Sequence, residues 1–221
     1  MKLSVLIPVY NEVDSIAEVV ARVTAVPLNT EIILVDDCST DGSAAVLQNL
    51  RQSNVMVAHH QDNRGKGAAV RTALEMATGE VVVIQDADLE YDPEDFNRLI
   101  EPIKAGRVRV VYGYRNFVGQ QIAIRIGNRF LTAVTNLIYG SDLLDMETCY
   151  KMIERNLALS LELNADRFEI EVELTSKLLK SGEAIEQIPI SYNPRSGGKK
   201  LVPWIDGPHG LWSLIKYRWL C

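Results

Sequence analysis

Residues 81–94 read Val-Val-Val-Ile-Gln-Asp-Ala-Asp-Leu-Glu-Tyr-Asp-Pro-Glu. The uninterrupted apolar run at 81–84 predicts a strand that is buried on both faces. Asp86, Asp88 and Glu90 follow it at alternate positions, and in an extended chain such side chains point to one side. Carboxylates that converge in this way repel one another unless a divalent cation lies between them. Oxygen ligands favour Mg²⁺ or Mn²⁺, so the stretch predicts a metal site at the end of a strand.

The first half of the chain alternates short apolar runs with amphipathic stretches. The pattern predicts strands at 3–9, 32–35, 55–59, 81–84 and 108–113, and helices at 14–26, 41–53, 66–78 and 93–105. Beyond residue 120 it predicts helices at 121–139 and 168–181, ended by Gly140 and Gly182, and a strand at 185–192. Continuous rather than alternating apolar strands indicate an α/β fold with a mostly parallel sheet covered by helices on both faces.

Composition limits the function classes. With 221 residues, 47% of them hydrophobic, the chain can bury a real core, and we expect one catalytic domain over 1–200. A net charge of −6 argues against general nucleic-acid binding. The three cysteines show no zinc or disulfide spacing and suit a reducing cytoplasm. The N-terminus reads as a core strand rather than a signal peptide, and no apolar window is long enough to span a bilayer.

The C-terminal segment, residues 201–221, differs from the rest of the chain. Three tryptophans and a tyrosine alternate there with aliphatic residues, and Lys216 and Arg218 lie close by. Such a segment can lie in a membrane interface, with its cations toward anionic lipid. It can equally form a helix that packs on its own domain or on a second subunit. Both interpretations stay open on the sequence.

Polar residues collect at the ends of three predicted strands. In an open parallel sheet, ligands bind beyond the carboxyl ends of the strands. The three polar segments are Pro8-Val9-Tyr10-Asn11-Glu12, Asp36-Asp37-Cys38-Ser39-Thr40-Asp41-Gly42 and Asp86-Ala87-Asp88. Each alone can be ordinary turn chemistry, and Asp41 and Ser43 are expected to cap the next helix. All three at one sheet edge favour a binding site.

Residues 63–68, Asn-Arg-Gly-Lys-Gly-Ala, open the third predicted helix. The backbone N–H groups of a helix start, together with Lys66, can contact phosphate oxygens. The segment has neither a P-loop nor a GxGxxG pattern, and a plain helix entry is the alternative. His59, His60 and His209 are interpreted as structural or exposed.

These segments, in this order and spacing, resemble the family 2 glycosyltransferases of GT-A fold. Within that family they are most similar to the dolichyl- or polyprenyl-phosphate sugar synthases. Segments at 112–115, 168–171 and 188–195, followed by 198–201, extend the resemblance over nearly the whole chain.

The resemblance implies an inverting, metal-dependent transfer of a sugar from a GDP- or UDP-linked donor to a polyprenyl phosphate. It also implies a set of site residues. Asp86, Asp88 and Glu90 would hold Mg²⁺ or Mn²⁺ and the diphosphate. Donor-binding positions would be Pro8, Tyr10, Asn11, Glu12, Asp36, Asp37, Lys66, Asp86 and Ala87. The acceptor phosphate would meet Arg115, Arg125, Arg195 and Lys199. Catalysis would rest on Asp86, Asp88, Arg115 and Arg195.

Location and partners follow from the same resemblance. We expect a cytoplasmic protein at the inner face of the membrane, with peripheral membrane contact and a homo-oligomer or a membrane-anchored partner. Glu90 departs from the Gln that many mannose synthases of this group carry, which leaves the donor sugar open. Residues 147–151, Glu-Thr-Cys-Tyr-Lys, also depart from the group and receive no role.

Two other functions compete. A family 2 enzyme with a sugar hydroxyl as acceptor needs a carboxylate base, which Glu169 or Glu171 could supply. On an amphipathic helix, however, we expect both to be solvated. A phospho-acceptor signalling module also gathers acids at the edge of a parallel sheet. Such a module would end by about residue 120 and leaves the arginines and the aromatic C-terminal segment unexplained.

Overall fold

A computed structural model describes residues 1–50, 53–116, 122–194 and 203–219. In these ranges seven strands form one sheet, in the order β3-β2-β1-β4-β6-β5-β7. Their bounds are β1 Leu3–Val9, β2 Thr30–Asp36, β3 Val55–His59, β4 Val81–Ile84, β5 Val110–Arg115, β6 Lys151–Glu154 and β7 Ile185–Ile190. The helices are α1 Ile16–Ala25, α2 Ser43–Asn49, α3 Lys66–Met76, α4 Phe96–Leu99, α5 Glu101–Lys104, α6 Ile122–Tyr139, α7 Arg155–Ser160, α8 Ile170–Lys180 and α9 Pro203–Trp219.

The predicted α/β architecture is confirmed. β1 pairs in parallel with β2 and β4, and β2 with β3, so their carboxyl ends meet at one edge of the sheet. The residues of β1, β2 and β4 are almost all buried, which explains their continuous apolar sequences. Gly140 and Gly182, with φ of 67° and 76°, end α6 and α8 as predicted.

The sequence did not predict β6, which runs antiparallel between β4 and β5. This strand has only four residues, Lys-Met-Ile-Glu, and its charged ends hide it from an apolar-run search. The predicted helix at 93–105 is also wrong as one element. It consists of a 3-10 turn at Pro93–Asp95 followed by α4 and α5, because Pro102 in α5 has no N–H to continue a single helix.

The C-terminal helix α9 packs on the domain itself, against α6 and α8. Leu214 is fully buried, and its carbonyl accepts a hydrogen bond from the Tyr139 hydroxyl at 3.2 Å. Trp212, Ile215 and Trp219, at helical spacing, remain on an exposed face. Of the two interpretations of this segment, packing on its own domain is therefore observed, and an exposed aromatic face remains beside it. No helix in the described ranges is long and apolar enough to cross a bilayer.

Candidate active site

Two hydrogen bonds hold the loop after β1 against the loop after β2 at the edge of the sheet. Asn11 has a φ of 52°, its Oδ1 accepts the Thr40 N–H at 2.8 Å, and its own N–H donates to Ser39 Oγ at 3.0 Å. Asn and Asp tolerate this left-handed conformation better than most residues. Tyr10, which precedes Asn11, is 38% exposed, and Pro8 is partly buried within β1. Asn11 thus shapes the loop that carries the predicted donor-binding residues.

Three further hydrogen bonds connect the loop after β1 to the start of α2 and to the segment after β4. The Glu12 N–H donates to Ser43 Oγ at 2.9 Å. Ser15 Oγ lies 2.9 Å from Glu12 Oε2 and 2.8 Å from the Ala87 carbonyl oxygen. Ser15 therefore connects two predicted donor-binding positions, Glu12 and Ala87.

Asp41 connects the start of α2 to the loop after β1. Its Oδ1 accepts the Ser43 N–H at 2.9 Å, at the start of α2, while its Oδ2 accepts the Val13 N–H at 3.1 Å. Burial alone would raise the pKa of Asp41, but the hydrogen bonds from the Ser43 hydroxyl and from the Ser43 and Val13 N–H groups together outweigh it and lower that pKa. Gly42, not Asp41 or Ser43, is the N-cap residue of α2, so the expected capping is wrong in position. Asp41 pairs with the first N–H of the helix from one residue earlier and connects the loop after β1 to the loop after β2.

The Asp37 carboxylate holds the loop before α3. Its Oδ1 accepts the Arg64 N–H at 2.9 Å and contacts His60 Nδ1 at 2.7 Å, and its Oδ2 accepts the Gly65 N–H at 2.6 Å. Asp37 is 2% exposed. The neighbouring Asp36 lies 3.2 Å from His59 Nδ1. Both carboxylates thus contribute structure to this edge, and the structural interpretation of His59 and His60 agrees with these contacts.

Lys66, the first residue of α3, reaches the end of β4. Its Nζ lies 2.7 Å from Asp86 Oδ1 and 2.9 Å from Glu171 Oε1. Burial alone would lower the pKa of Lys66, but the Asp86 and Glu171 carboxylates raise that pKa well above its ordinary value. Burial would likewise raise the pKa of Asp86, but the Lys66 ammonium outweighs it and lowers that pKa. Asp86 and Lys66 therefore form a charged pair at the site.

Glu171 continues this chain of charges into the protein. Its second oxygen pairs with the Lys151 ammonium, which is fully buried and also donates to the Thr148 carbonyl oxygen at 2.8 Å. The Lys151 ammonium lies 5.3 Å from the centre of the Tyr112 ring. Asp86, Lys66, Glu171 and Lys151 thus alternate in sign from the sheet edge to the interior. The expectation that Glu171 is solvated on a helix face is wrong, since it is 4% exposed.

The acids after β4 do not adopt the extended geometry predicted for them. β4 ends at Ile84, and residues 87–90 form a series of bends. Asp88 Oδ1 accepts the Glu90 N–H at 3.1 Å, and Glu90 Oε2 accepts the Tyr192 hydroxyl at 2.9 Å. Within the described ranges, no three His, Cys, Asp or Glu side chains are grouped closely enough to hold a metal ion by themselves. The expected convergence of Asp86, Asp88 and Glu90 is therefore wrong.

Arg115 is buried at the end of β5 in an ion pair with Asp145. Its Nε lies 2.7 Å from Asp145 Oδ2 and its Nη2 2.9 Å from Asp145 Oδ1. The guanidinium carbon lies 5.3 Å from the centre of the Tyr192 ring. Arg125 lies partly buried on α6. Arg195 and Lys199, the other predicted acceptor cations, lie outside the described residues.

Sequence reasoning missed Asp145, Glu147, Lys151 and Tyr192. Burial raises the pKa of Glu147 to about 7, and its buried Oε1 has no hydrogen-bond partner among the residues that the structure describes. A usable signal exists for Lys151, because it is a single charge between Cys149-Tyr150 and Met152-Ile153, whereas Asp145 has other acids nearby at 142 and 147. Such buried charges are rare unless they are paired.

Comparison with known proteins settles the family. The model of glycosyl transferase family 2 matches residues 4–158. This chain belongs to glycosyl transferase family 2. It is a glycosyltransferase, as its resemblance implied, and the similar curated proteins are glycosyltransferases too.

Three relatives illustrate the similarity. Glycosyltransferase AglJ of Haloferax volcanii is 29% identical, over 97% of this chain and 70% of that protein. The dolichol-phosphate mannosyltransferase of Pyrococcus furiosus is 30% identical, over 90% of this chain and 58% of that protein. The polyprenol monophosphomannose synthase of Mycolicibacterium smegmatis is 27% identical, over 88% of this chain and 78% of that protein. The glycosyltransferase spans little more than half the length of some relatives, such as the hexosyltransferase Agl6 of Haloferax volcanii at 52%.

The fold is also that of solved glycosyltransferases. Glucosyl-3-phosphoglycerate synthase from Mycobacterium tuberculosis, crystallised with Mn²⁺, UDP and glucosyl-3-phosphoglycerate, matches with a TM-score of 0.81 and 20% identity. The match covers 98% of this chain and 80% of that chain. The predicted GT-A fold is confirmed.

Proposed function

We propose that this glycosyltransferase moves a sugar, with inversion, from a GDP- or UDP-linked donor to a polyprenyl phosphate. The observation that carries the proposal is the Asp86–Lys66 pair at the end of β4, beside the interlocked loops after β1 and β2. Relatives named for dolichol-phosphate and polyprenol substrates support the acceptor class. We further propose a cytoplasmic protein at the inner face of the membrane.

Donor binding falls to the sheet edge. Tyr10, partly exposed, offers a ring face to the base, while Pro8, Asn11 and Glu12 shape the loop beneath it. Asp37 and Ala87 hold the loops around this position through the hydrogen bonds described above, and Asp36 Oδ1 accepts the Ser39 N–H at 3.2 Å. Lys66 carries the positive charge that meets the diphosphate.

The carboxylates of Asp86 and Asp88 fit a divalent cation that is held together with the substrate phosphates. Asp86 already binds a cation, the Lys66 ammonium, and Asp88 lies two residues away. Mg²⁺ commonly takes one or two carboxylates together with substrate phosphates, so Asp86 and Asp88 would hold Mg²⁺ or Mn²⁺. The ion would neutralise the charge on the departing diphosphate. Glu90, the third predicted ligand, engages Tyr192 and would join the ion only by leaving that hydroxyl.

The acceptor phosphate would be gathered by Arg115, Arg125, Arg195 and Lys199. Asp145 orients the Arg115 guanidinium from behind, and guanidinium forks pair phosphate oxygens bidentately. A phosphate monoester has its second pKa near 6, so it is largely dianionic at neutral pH and needs little help from a base. Catalysis would then consist chiefly of positioning and charge stabilisation.

A hydroxyl acceptor, the competing possibility, needs a carboxylate that can take up a proton. Glu171 contacts Lys66 with one oxygen and Lys151 with the other, and its side chain is 6% exposed. Because both oxygens of Glu171 are occupied by ammonium groups, an acceptor hydroxyl would have to displace one of them before it could give up its proton to this carboxylate. This arrangement supports the phosphate acceptor over the hydroxyl acceptor.

The surface of α6 and α9 supports membrane contact. Ile122, Ile126, Phe130 and Leu137 are 57–84% exposed on one face of α6, since their spacing is four, four and seven residues. Helix α9, packed against α6, exposes Trp212, Ile215 and Trp219. The charged residues of α6 are Arg125 and Arg129, both cations, and α9 ends with Lys216 and Arg218. An apolar face flanked by cations fits an anionic bilayer surface.

The test is a transfer assay with Mn²⁺ or Mg²⁺, a panel of GDP- and UDP-sugars and a short polyprenyl phosphate. Release of nucleoside diphosphate that depends on the lipid phosphate would support the proposal. Release that depends instead on a lipid-linked sugar with a free hydroxyl, and not on the phosphate, would favour the competing function.

A further inference from the structure

The Lys66 ammonium bridges two carboxylates that differ in accessibility. On the outer side Asp86 has a side chain that is 26% exposed, and on the inner side Glu171 is 6% exposed. Glu171 is fixed in turn by Lys151, whose side chain is completely buried. The inner contact is therefore anchored, whereas the outer contact is partly accessible to solvent.

The charges of this cluster allow Lys66 to leave Asp86 when other charged groups bind nearby. Asp86, Lys66, Glu171 and Lys151 sum to zero formal charge when both carboxylates are ionised. An ammonium and a divalent cation compete for the oxygens of one carboxylate, and their mutual repulsion is strong at short range in a partly buried site. A diphosphate brings negative charge that would attract the ammonium away from Asp86.

Resting on the proposed function, we propose that Lys66 is an exchangeable counter-ion. Without donor, Lys66 occupies the cation position on Asp86. When a divalent ion and the donor diphosphate bind, its ammonium turns from Asp86 to the diphosphate, while Glu171 keeps the other side of the same ammonium. Glu171 is then a positioning residue for Lys66, and metal binding is coupled to donor binding.

The proposal predicts effects of opposite sign on one measurable quantity, the affinity for Mn²⁺ alone, followed by electron paramagnetic resonance of the free ion. Lys66→Met removes the competing cation, so Mn²⁺ should bind roughly three- to tenfold more tightly. Glu171→Gln removes a negative charge behind Lys66, so Mn²⁺ should bind about threefold more weakly. Lys66→Arg keeps the charge and should show no gain in affinity.

A second titration measures UDP or GDP binding in the presence of Mn²⁺. Here Lys66→Met should weaken nucleotide binding by about tenfold, because the ammonium that meets the diphosphate is lost. Lys104→Met is the matched control, since Lys104 pairs with Glu101 on α5. It should change neither affinity.

The outcomes separate this proposal from the proposed function. If the wild-type chain binds no Mn²⁺ with or without nucleotide, the metal-dependent transfer itself fails. If it binds Mn²⁺ with nucleotide but Lys66→Met leaves the affinity for Mn²⁺ alone unchanged or weaker, the exchange is overturned and the proposed function stands. Should circular dichroism show that Lys66→Met is unfolded, Glu171→Gln decides, and an unchanged or tighter Mn²⁺ affinity overturns the exchange.

Discussion

The guanidinium of Arg115 and the carboxylate of Asp145 form a bidentate ion pair that is almost completely buried. The Arg115 backbone N–H also donates to the same carboxylate, at 3.1 Å. Asp145 therefore fixes both the backbone of Arg115 at the end of β5 and the guanidinium of the same residue. This pairing connects the proposed acceptor-binding role of Arg115 to the stability of the fold.

Breaking this pair should destabilise the protein. Asp145→Asn leaves a buried guanidinium without its counter-ion, and removal of one partner from such a pair costs about 3–5 kcal/mol. We expect the free energy of unfolding in urea to fall by about 3 kcal/mol. Asp142→Asn, which changes an exposed acid three residues earlier, is the control. Equal stabilities of Asp145→Asn and the wild type would show that the pair contributes nothing.

Glu147 should make stability fall as pH rises. Its folded pKa of about 7 lies above its ordinary value of 4.5, so the folded state holds this proton more tightly than the unfolded state. Stability from this group is complete below pH 4.5 and is lost as pH rises toward 7. The loss is about 2–3 kcal/mol by pH 8.

Glu147→Gln removes this dependence. Its free energy of unfolding relative to the wild type should rise by about 2–3 kcal/mol between pH 4.5 and pH 8. Glu75→Gln, a change of an exposed carboxylate on α3, should show a flat difference over the same range. Parallel profiles for Glu147→Gln and the wild type would contradict the burial of an ionisable Glu147.

The hydrogen bond from Tyr192 to Glu90 should stabilise the bends at residues 87–90. Tyr192→Phe removes only the hydroxyl, and we expect a loss of about 1 kcal/mol, measured by urea unfolding. Glu90→Gln retains an acceptor oxygen and should lose less. If Glu90→Gln instead abolishes Mn²⁺ binding while Tyr192→Phe does not affect it, Glu90 is a metal ligand, as the sequence predicted.

The surface of α6 and α9 should control binding to anionic vesicles. A double variant, Phe130→Ser with Leu137→Ser, removes two exposed apolar side chains from α6 and should weaken co-sedimentation with phosphatidylglycerol vesicles by at least about tenfold. Leu144→Ser, which changes a leucine that is 56% exposed outside these helices, is the control. Unchanged vesicle binding, combined with a dimer-to-monomer shift of the double variant in sedimentation, would assign this surface to a second copy of the chain.

The architecture was accessible from the sequence because the strands at its centre are buried on both faces. The continuous apolar runs at Val81 to Ile84 and Ile32 to Val35 are typical of a parallel sheet that helices cover on both faces. The position of the site followed from topology, since the polar segments after β1, β2 and β4 lie where parallel strands end. Helix ends at Gly140 and Gly182 followed from local chemistry.

The site geometry was less accessible, because it depends on contacts between distant residues. The alternate spacing of Asp86, Asp88 and Glu90 brings the three carboxylates together only in an extended chain. Residues 87–90 form bends instead, so the carboxylates do not converge. The partners of Lys66 and Arg115, which are Glu171 and Asp145, lie 105 and 30 residues away in sequence. No local pattern encodes such pairings.

The most direct test of the central claim is lipid-dependent release of nucleoside diphosphate by Asp88→Asn, measured with Mn²⁺, the donor sugar nucleotide and a short polyprenyl phosphate. If Asp88 holds the ion that neutralises the leaving diphosphate, turnover should fall by at least about a hundredfold, while the melting temperature stays close to that of the wild type. Full turnover by a folded Asp88→Asn would contradict the account.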